Sequence, residues 1–407
     1  MSPLKQPAKR VARSPSEWTV AIYMVGGPEL GPSIDRDLLE LEQAGSSADV
    51  NVVVGRQHRP SSSATWYEIP PLDGAERARR KKIGTSKNVS DPNAPSRSRI
   101  DANLTEFLEL IGDEYPAKRY LLMLWGHASG LGFGGLTPGD KGDQARLTEL
   151  RDVLTTLRKR RGQDVKLEIL GFCACAVNKA DYALELRQEV QYLIASQVGI
   201  STLMTWPFDE TVKLLLMSPS VETHSLARQL VQAYEAGYEP PPIAMTALEL
   251  GKVDEVGKQI DALSKAILAA LDRPDPQGRI NNMLVAQAFD EAMDSYPWDV
   301  EPLVDLFDLC RKLAQKPLLD ADVRGRARDV LDRGFRNLVV HNARSGPKFG
   351  ALNGLSMLAP DFDDPDFLKT YAPTWEGMDI YVWSQTKWAT VTRRVYEFYT
   401  TNKSPFE

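Results

Sequence analysis

The 407-residue chain holds only three cysteines and four histidines. Three thiols cannot staple a chain of this length, so a disulfide scaffold is excluded and a reducing, cytoplasmic compartment is expected. No apolar stretch comes near the roughly 20 residues a membrane span needs, so no membrane partner is expected. An excess of charge of one sign is also missing. The formal net charge is −6, which leaves no reason to expect direct nucleic-acid binding. Internal repeats are absent, which removes solenoids and propellers. The first residues, MSPLKQPAKRVARSPSEW, are basic and rich in Pro and Ser. They lack the apolar centre of a secretory leader, so residues 1–16 read as a disordered basic tail.

What is present is a long alternation of apolar runs and helical stripes. Trp18–Val25, Val50–Val54, Arg119–Trp125, Leu167–Phe172 and Tyr192–Gln197 read as buried strands; Ala64–Ile69 reads as an edge strand. Helical patterns stand between them, at Ile34–Ala44, Asp101–Ile111, Thr148–Arg160 and Asn178–Arg187. Strands alternating with helices at this spacing predict an α/β fold with a mostly parallel central sheet flanked by helices. Helices are also expected at Pro207–Met217, Leu226–Ala236 and Val253–Leu271. The strand Ile243–Leu248 lies between the last two, and residues 280–340 read as mainly helical. The Pro-rich break at 240–242 suggests a first domain over 17–250 and a largely helical C-terminal region over 251–407 packing on it. Two segments poor in apolar residues, 70–99 and 129–146, read as mobile loops. The first carries Arg77, Arg79, Arg80, Lys81, Lys82 and Lys87.

The stretch Lys166–Val177, KLEILGFCACAV, runs an apolar strand into Cys173 and Cys175. His127 follows another such strand, in LLMLWGHASG. In an open α/β sheet, reactive groups collect at the carboxyl ends of strands, and neighbouring strands lie about 4.8 Å apart. A histidine there can take the proton of a thiol and return it to a leaving amine. Backbone N–H groups near Gly126 and at the turn after Cys175 could hold an oxyanion. Buried cysteines are commonly inert, so catalysis and simple packing both remain open on spacing alone.

LLMLWGHASG resembles the histidine motif, and LEILGFCACAV the cysteine motif, of the clostripain-like cysteine peptidases, which have a caspase-hemoglobinase fold. Their separation, 48 residues, suits the caspase spacing. WTVAIYMV, LIASQVGISTLMTWPFDE, NGLSMLAP and WSQTKWATVTRRVY also resemble pieces of the family, so the likeness covers most of residues 18–400. It implies a cysteine endopeptidase acting on protein substrates through a thioester. Cys175 would be the nucleophile and His127 the base and then the acid; the backbone of Gly126, Ala128 and Cys175 would hold the oxyanion. No cofactor or metal is implied for chemistry, although some members respond to calcium.

The departures from the family pattern matter as much. The family's aspartate two residues before the nucleophile is Cys173 here, and in relatives that cut after Arg or Lys it lies in the specificity pocket. Period two puts residues 173 and 175 on one side of a strand, so Cys173 should line the pocket without the fixed charge. Ser196, Trp206 and Asp209 are expected beside it, with Asp209 or Glu210 as substitute acids. Those acids would also sit well at a helix N-terminus. A Cys173–Cys175 disulfide is disfavoured by the two-residue separation. Cleavage after Arg or Lys is expected from the resemblance, with the pocket aspartate that would read the charge replaced by Cys173. Peptidases of this fold are often zymogens; Lys141 and Arg146 in one loop, and Arg80 and Lys82 in the other, are candidate processing sites for the enzyme itself or an upstream activating protease. The alternative reading is a catalytically weak caspase-like binding or scaffold module.

Overall fold

The structure, a computed structural model, describes residues 14–58, 63–86, 99–135, 144–162, 165–201, 205–237, 243–297, 300–347, 349–377 and 379–402. Its first strand, β1 (Ser16–Gly26), already sets the architecture. Trp18, Val20, Ile22 and Met24 enter one hydrophobic core, while Ala21, Tyr23 and Val25 enter another. A strand buried on both faces belongs in the middle of a sheet covered by helices on both sides.

That sheet also contains β2 (Val50–His58), β3 (Ala64–Ile69), β4 (Lys81–Thr85), β5 (Ala117–Trp125), β6 (Leu167–Cys173), β7 (Val190–Ala195), β8 (Ala244–Glu249) and β9 (Val339–Arg344). Among the described residues the order is β9-β8-β7-β6-β5-β1-β2-β3-β4. The five strands β2-β1-β5-β6-β7 are parallel. Antiparallel pairs extend the sheet on both flanks. Helices α1 (Gly31–Ala44), α5 (Phe208–Met217) and α6 (Thr223–Ala236) cover one face. The other face is covered by α2 (Arg99–Glu114), α3 (Leu147–Arg161), α4 (Ala180–Leu186) and α7 (Val253–Leu271). Later helices, from α8 (Pro276–Asp294) and α9 (Leu306–Gln315) to the last (Trp388–Thr401), join the same core as this second layer.

The expected α/β fold is therefore present, with corrections. β3 is not the sheet edge, because β4 pairs outside it. Residues 70–99 are consequently not one loop: β4 and the buried Ala78 lie within them, and 87–98 fall outside the described residues. The lysines that masked β4 suit an edge strand, where charge blocks further pairing. In 129–146, Gly132–Phe133 pairs with Ala128–Ser129 and with Ala145–Arg146, and 136–143 lie outside the described residues. Of the expected tail only 14–16 are described, and Ser16 already belongs to β1.

The C-terminal region is largely helical and packs on the core, but it also supplies β9, read from sequence as part of a helical stretch. β9 pairs with β8 over Ala244↔Arg344 to Leu248↔Val339. The short strand Leu303–Asp305 pairs with Ser356–Leu358, and Ser356 bridges to Lys179, just beyond β6. The break near 240 therefore separates segments of chain but not separate cores.

Candidate active site

The parallel register of β5 and β6 pairs Trp125 with Cys173. One residue further, the Gly126 N–H donates to the Cys173 carbonyl at 3.2 Å. Gly126 adopts φ +155°, and a Cβ there would lie 2.6 Å from the Val25 carbonyl oxygen of β1. Only glycine fits this approach without displacing backbone. His127 and Cys175 each lie two residues past the Trp125–Cys173 rung, so both emerge at the carboxyl edge of neighbouring strands.

After Cys173 the chain bends. Ala176 takes φ +49°, a left-handed conformation that costs a non-glycine residue about 1 kcal/mol or more. The turn is held by neighbours: the Ala176 N–H donates to the Val198 carbonyl at 3.0 Å and the Asn178 N–H to the Ser196 carbonyl at 2.9 Å. Cys175 is left half-buried, its Sγ accepting the Ile200 N–H at 3.4 Å. Burial pushes this thiol above its ordinary pKa; the Ile200 N–H opposes the shift and the negative charge of Glu301 adds to it. At rest it is a protonated thiol.

Burial pushes the His127 imidazole in the other direction, below its ordinary pKa, with Glu29 partly opposing the shift. Its Nε2 is buried without a hydrogen-bond partner and lies 3.6 Å from Glu29 Oε1. Glu29, in the loop after β1, also accepts the Gly27 N–H at 3.2 Å. A neutral imidazole beside a carboxylate can accept a proton and have the resulting cation stabilised. Glu29 was missed from sequence. Its signal was an acid following the Gly26-Gly27-Pro28 break, at the end of the strand beside β5. One expectation is corrected: the Gly126 N–H is committed to Cys173, which leaves Ala128 and Cys175 as the candidate oxyanion donors.

A family model described as the clostripain family matches residues 22–322. The chain belongs to the clostripain family. It is a cysteine-type endopeptidase. Curated proteins offer no match. Among solved structures, an inactive zymogen C11 protease from Parabacteroides distasonis is similar at 16% identity and TM-score 0.64, covering 92% of this chain and 99% of the other. A secreted C11 cysteine protease from Bacteroides thetaiotaomicron is similar at 16% identity and TM-score 0.59, covering 93% and 99%. The same description with an irreversible peptide inhibitor gives 14% identity, TM-score 0.60, and 92% and 99% coverage. At these identities the likeness concerns the fold.

Cys173 is buried, and its side chain enters the core facing α1, with Trp125 and Met24. Since β6 ends at Cys173, the period-two inference does not carry on to Cys175. Burial, then the charge of Asp37, pushes the Cys173 thiol well above its ordinary pKa, while the Trp206 backbone N–H and Arg36 oppose this. The acid near Cys173 is thus Asp37. It is wholly buried on α1 and accepts the Trp125 indole N–H at 2.8 Å and the Thr205 hydroxyl at 2.7 Å. Arg36 pairs with it at 3.3 Å and also donates to Thr205 at 2.7 Å.

Three expected pocket residues are otherwise engaged. Asp209 lies in the first turn of α5 and bonds Lys213 at 2.8 Å, as Glu210 does at 2.9 Å. The Trp206 side chain is fully buried in the same core as Cys173, its indole N–H donating to Thr211 at 2.7 Å. The buried Ser196 hydroxyl accepts the Val198 N–H at 3.1 Å. The processing candidates are corrected as well. Arg146 is paired with Gly132 and bonded to Glu149, Lys82 sits in the edge strand β4, and Arg80 lies just before β4 and bonds Glu42. Lys141 lies outside the described residues.

Glu40, one turn along α1 from Asp37, accepts the Phe208 N–H at 3.1 Å and so caps α5. Burial, then the Asp37 charge, pushes its carboxyl up to about 7 from 4.5. The folded state therefore holds a proton that the unfolded chain has lost, and stability should fall as pH rises from about 4.5 to 7. Glu40→Gln should lack this component. Melting curves at pH 5 and pH 8 would show the variant gaining on the wild type at the higher pH; an equal difference at both would refute the coupling.

Proposed function

We propose that this clostripain-family endopeptidase uses Cys175 as nucleophile and His127 as general base. The observation that carries the reading is the shared offset of both residues from the Trp125–Cys173 rung, which puts a protonated thiol and a neutral imidazole at one sheet edge. His127 takes the Sγ proton as sulfur attacks the scissile carbonyl carbon. The N–H groups of Ala128 and Cys175 face the oxyanion, and Glu29 stabilises the imidazolium. The C–N bond then breaks, His127 gives its proton to the leaving amine, and a thioester remains. Water attacks that thioester with His127 again as base, releasing the acid and restoring the thiol. This sequence uses no cofactor, so chelation should leave kcat/KM unchanged; calcium would act on stability or activation.

Protein substrates follow from the family. The preference for Arg or Lys is weakened in this reading, because Cys173 is neutral and the buried Asp37 already has Arg36 as its counter-ion. Cleavage inside 136–143, at Lys141, is the processing event that the sequence still favours, and the Parabacteroides distasonis neighbour is itself described as an inactive zymogen. Cytoplasmic residence also stays part of this proposal, although one neighbour is described as secreted; cell fractionation decides it.

A peptide carrying a cysteine-reactive group should label wild type at Cys175. Cys175→Ala should abolish labelling and turnover, and His127→Ala should slow both by about 100-fold or more. Intact mass after incubation should show processed fragments in wild type and none in Cys175→Ala if maturation is autolytic. Labelling indifferent to His127 would end the dyad assignment, and labelling without turnover would favour the binding-module alternative. Cys173→Asp should raise kcat/KM for peptides with Arg or Lys before the cut by about tenfold or more relative to alanine peptides, the scale of restoring one buried charge pair. An unchanged profile would place position 173 outside the pocket.

A further inference from the structure

Behind the candidate site lies an ion pair that the chemistry above does not use. Lys179 follows the Cys175 turn and Glu301 precedes the strand Leu303–Asp305; their side chains are only 4% and 8% exposed. The Lys179 ammonium bonds the Glu301 carboxylate directly. Each partner also grips Gly130, the first turn residue of the hairpin that leaves His127. The Gly130 N–H donates to Glu301 Oε1 at 2.6 Å, and Lys179 Nζ donates to the Gly130 carbonyl at 2.8 Å. Both polar groups of one peptide residue are thus held by opposite ends of one buried pair.

The pair joins three segments distant in sequence: the chain after the nucleophile, the chain after the histidine, and the C-terminal region. The His127 end of the hairpin is fixed by the Gly134 N–H donating to the His127 carbonyl at 2.7 Å. The Cys175 end is fixed by Asn178, whose carbonyl accepts the Ser356 N–H at 3.0 Å and whose amide donates to the Gly354 carbonyl at 2.8 Å. Between these two anchors, Lys179–Glu301 is the direct link from the histidine hairpin to the cysteine turn.

We infer that Lys179 and Glu301 are positioning residues that set the register of the His127 hairpin against the Cys175 turn, making the C-terminal region part of the catalytic unit. The role in turnover rests on the Cys175–His127 reading; the grip on Gly130 does not. A misplacement of about 1 Å between reacting groups can cost about 100-fold in rate, so the effect belongs in kcat rather than in substrate affinity.

The test uses Glu301→Gln, Lys179→Met, and the double variant Lys179→Met/Glu301→Met in the full chain. Either single change leaves a buried group without its partner and should lower the melting temperature. The double change removes both charges and should recover much of that loss. Neither methionine can bond Gly130, so kcat should stay about 10- to 100-fold below wild type with KM within about threefold. Amide exchange at Gly130 should lose protection in the double variant at its recovered melting temperature. A purely structural pair would return kcat with stability, and wild-type kcat in the folded double variant would overturn the inference. If the singles do not fold, the double variant decides alone. If wild type turns over no peptide, the catalytic reading fails, and unchanged Gly130 exchange would still overturn the grip.

Discussion

The geometry of the whole site descends from one rung of a parallel ladder. Parallel strands run in the same direction, so residues equally far past a shared rung arrive at the same edge of the sheet. Trp125 and Cys173 form that rung, and the Gly126 N–H extends the ladder by one bond before the chains diverge. A slip of β5 by one residue would turn Trp125 from the α1 face toward the α2–α3 face. It would also displace His127 relative to Cys175. The alternating burial of Leu121, Met123 and Trp125 in one core against Leu122 and Leu124 in the other makes such a slip expensive. Hydrophobic patterning far from any reactive atom thus fixes where the reactive atoms stand.

Burial acts on both members of the pair in the same sense, disfavouring charge. It raises the thiol, lowers the imidazole, and leaves a neutral pair at rest. Even at its ordinary pKa a thiol is only a few per cent ionised at neutral pH, so in the proposed mechanism proton transfer belongs to the reaction and not to the resting state. Glu29 then matters more in the charged state than before it. At 3.6 Å from Nε2 it makes no hydrogen bond to the neutral ring, but its charge favours the imidazolium. Its carboxylate is nearly half exposed, so water screens that attraction and the effect is modest.

The sheet and its helices were legible because period-two and 3.6-residue patterns are strong wherever both faces are buried. His127 and Cys175 were legible because motif and strand end coincide. Local patterning failed where structure depends on distant partners. β4 carries edge lysines instead of an apolar run, and β9 is a strand because β8 offers it a ladder. The charges near Cys173 were sought at Asp209 by nearness in sequence, whereas Asp37 reaches it from a helix more than a hundred residues earlier. Glu29 likewise approaches His127 through the adjacency of β1 and β5, which no local window contains.

The same long-range dependence explains why the C-terminal region cannot be treated as an appendage. Asp305 caps α9 through the Asp308 N–H at 2.9 Å, accepts from Gln197 at 3.0 Å and accepts the Asn353 N–H at 2.6 Å. Gln197 in turn accepts the Gly354 N–H at 2.6 Å, and its own carbonyl takes the Tyr296 hydroxyl at 2.5 Å. One residue further, Val198 holds the strained Ala176 beside Cys175. Without residues beyond 250, Gln197 loses its bonds to Asp305, Gly354 and Tyr296. Within the intact fold, removing Glu301 alone would leave Lys179 a buried cation without its acid, at a cost of about 3–5 kcal/mol. That is a large fraction of the whole folding stability of many domains, about 5–15 kcal/mol. The turn that carries Cys175 is therefore shaped from both ends of the chain, and the segments before and after residue 240 share the same hydrophobic cores.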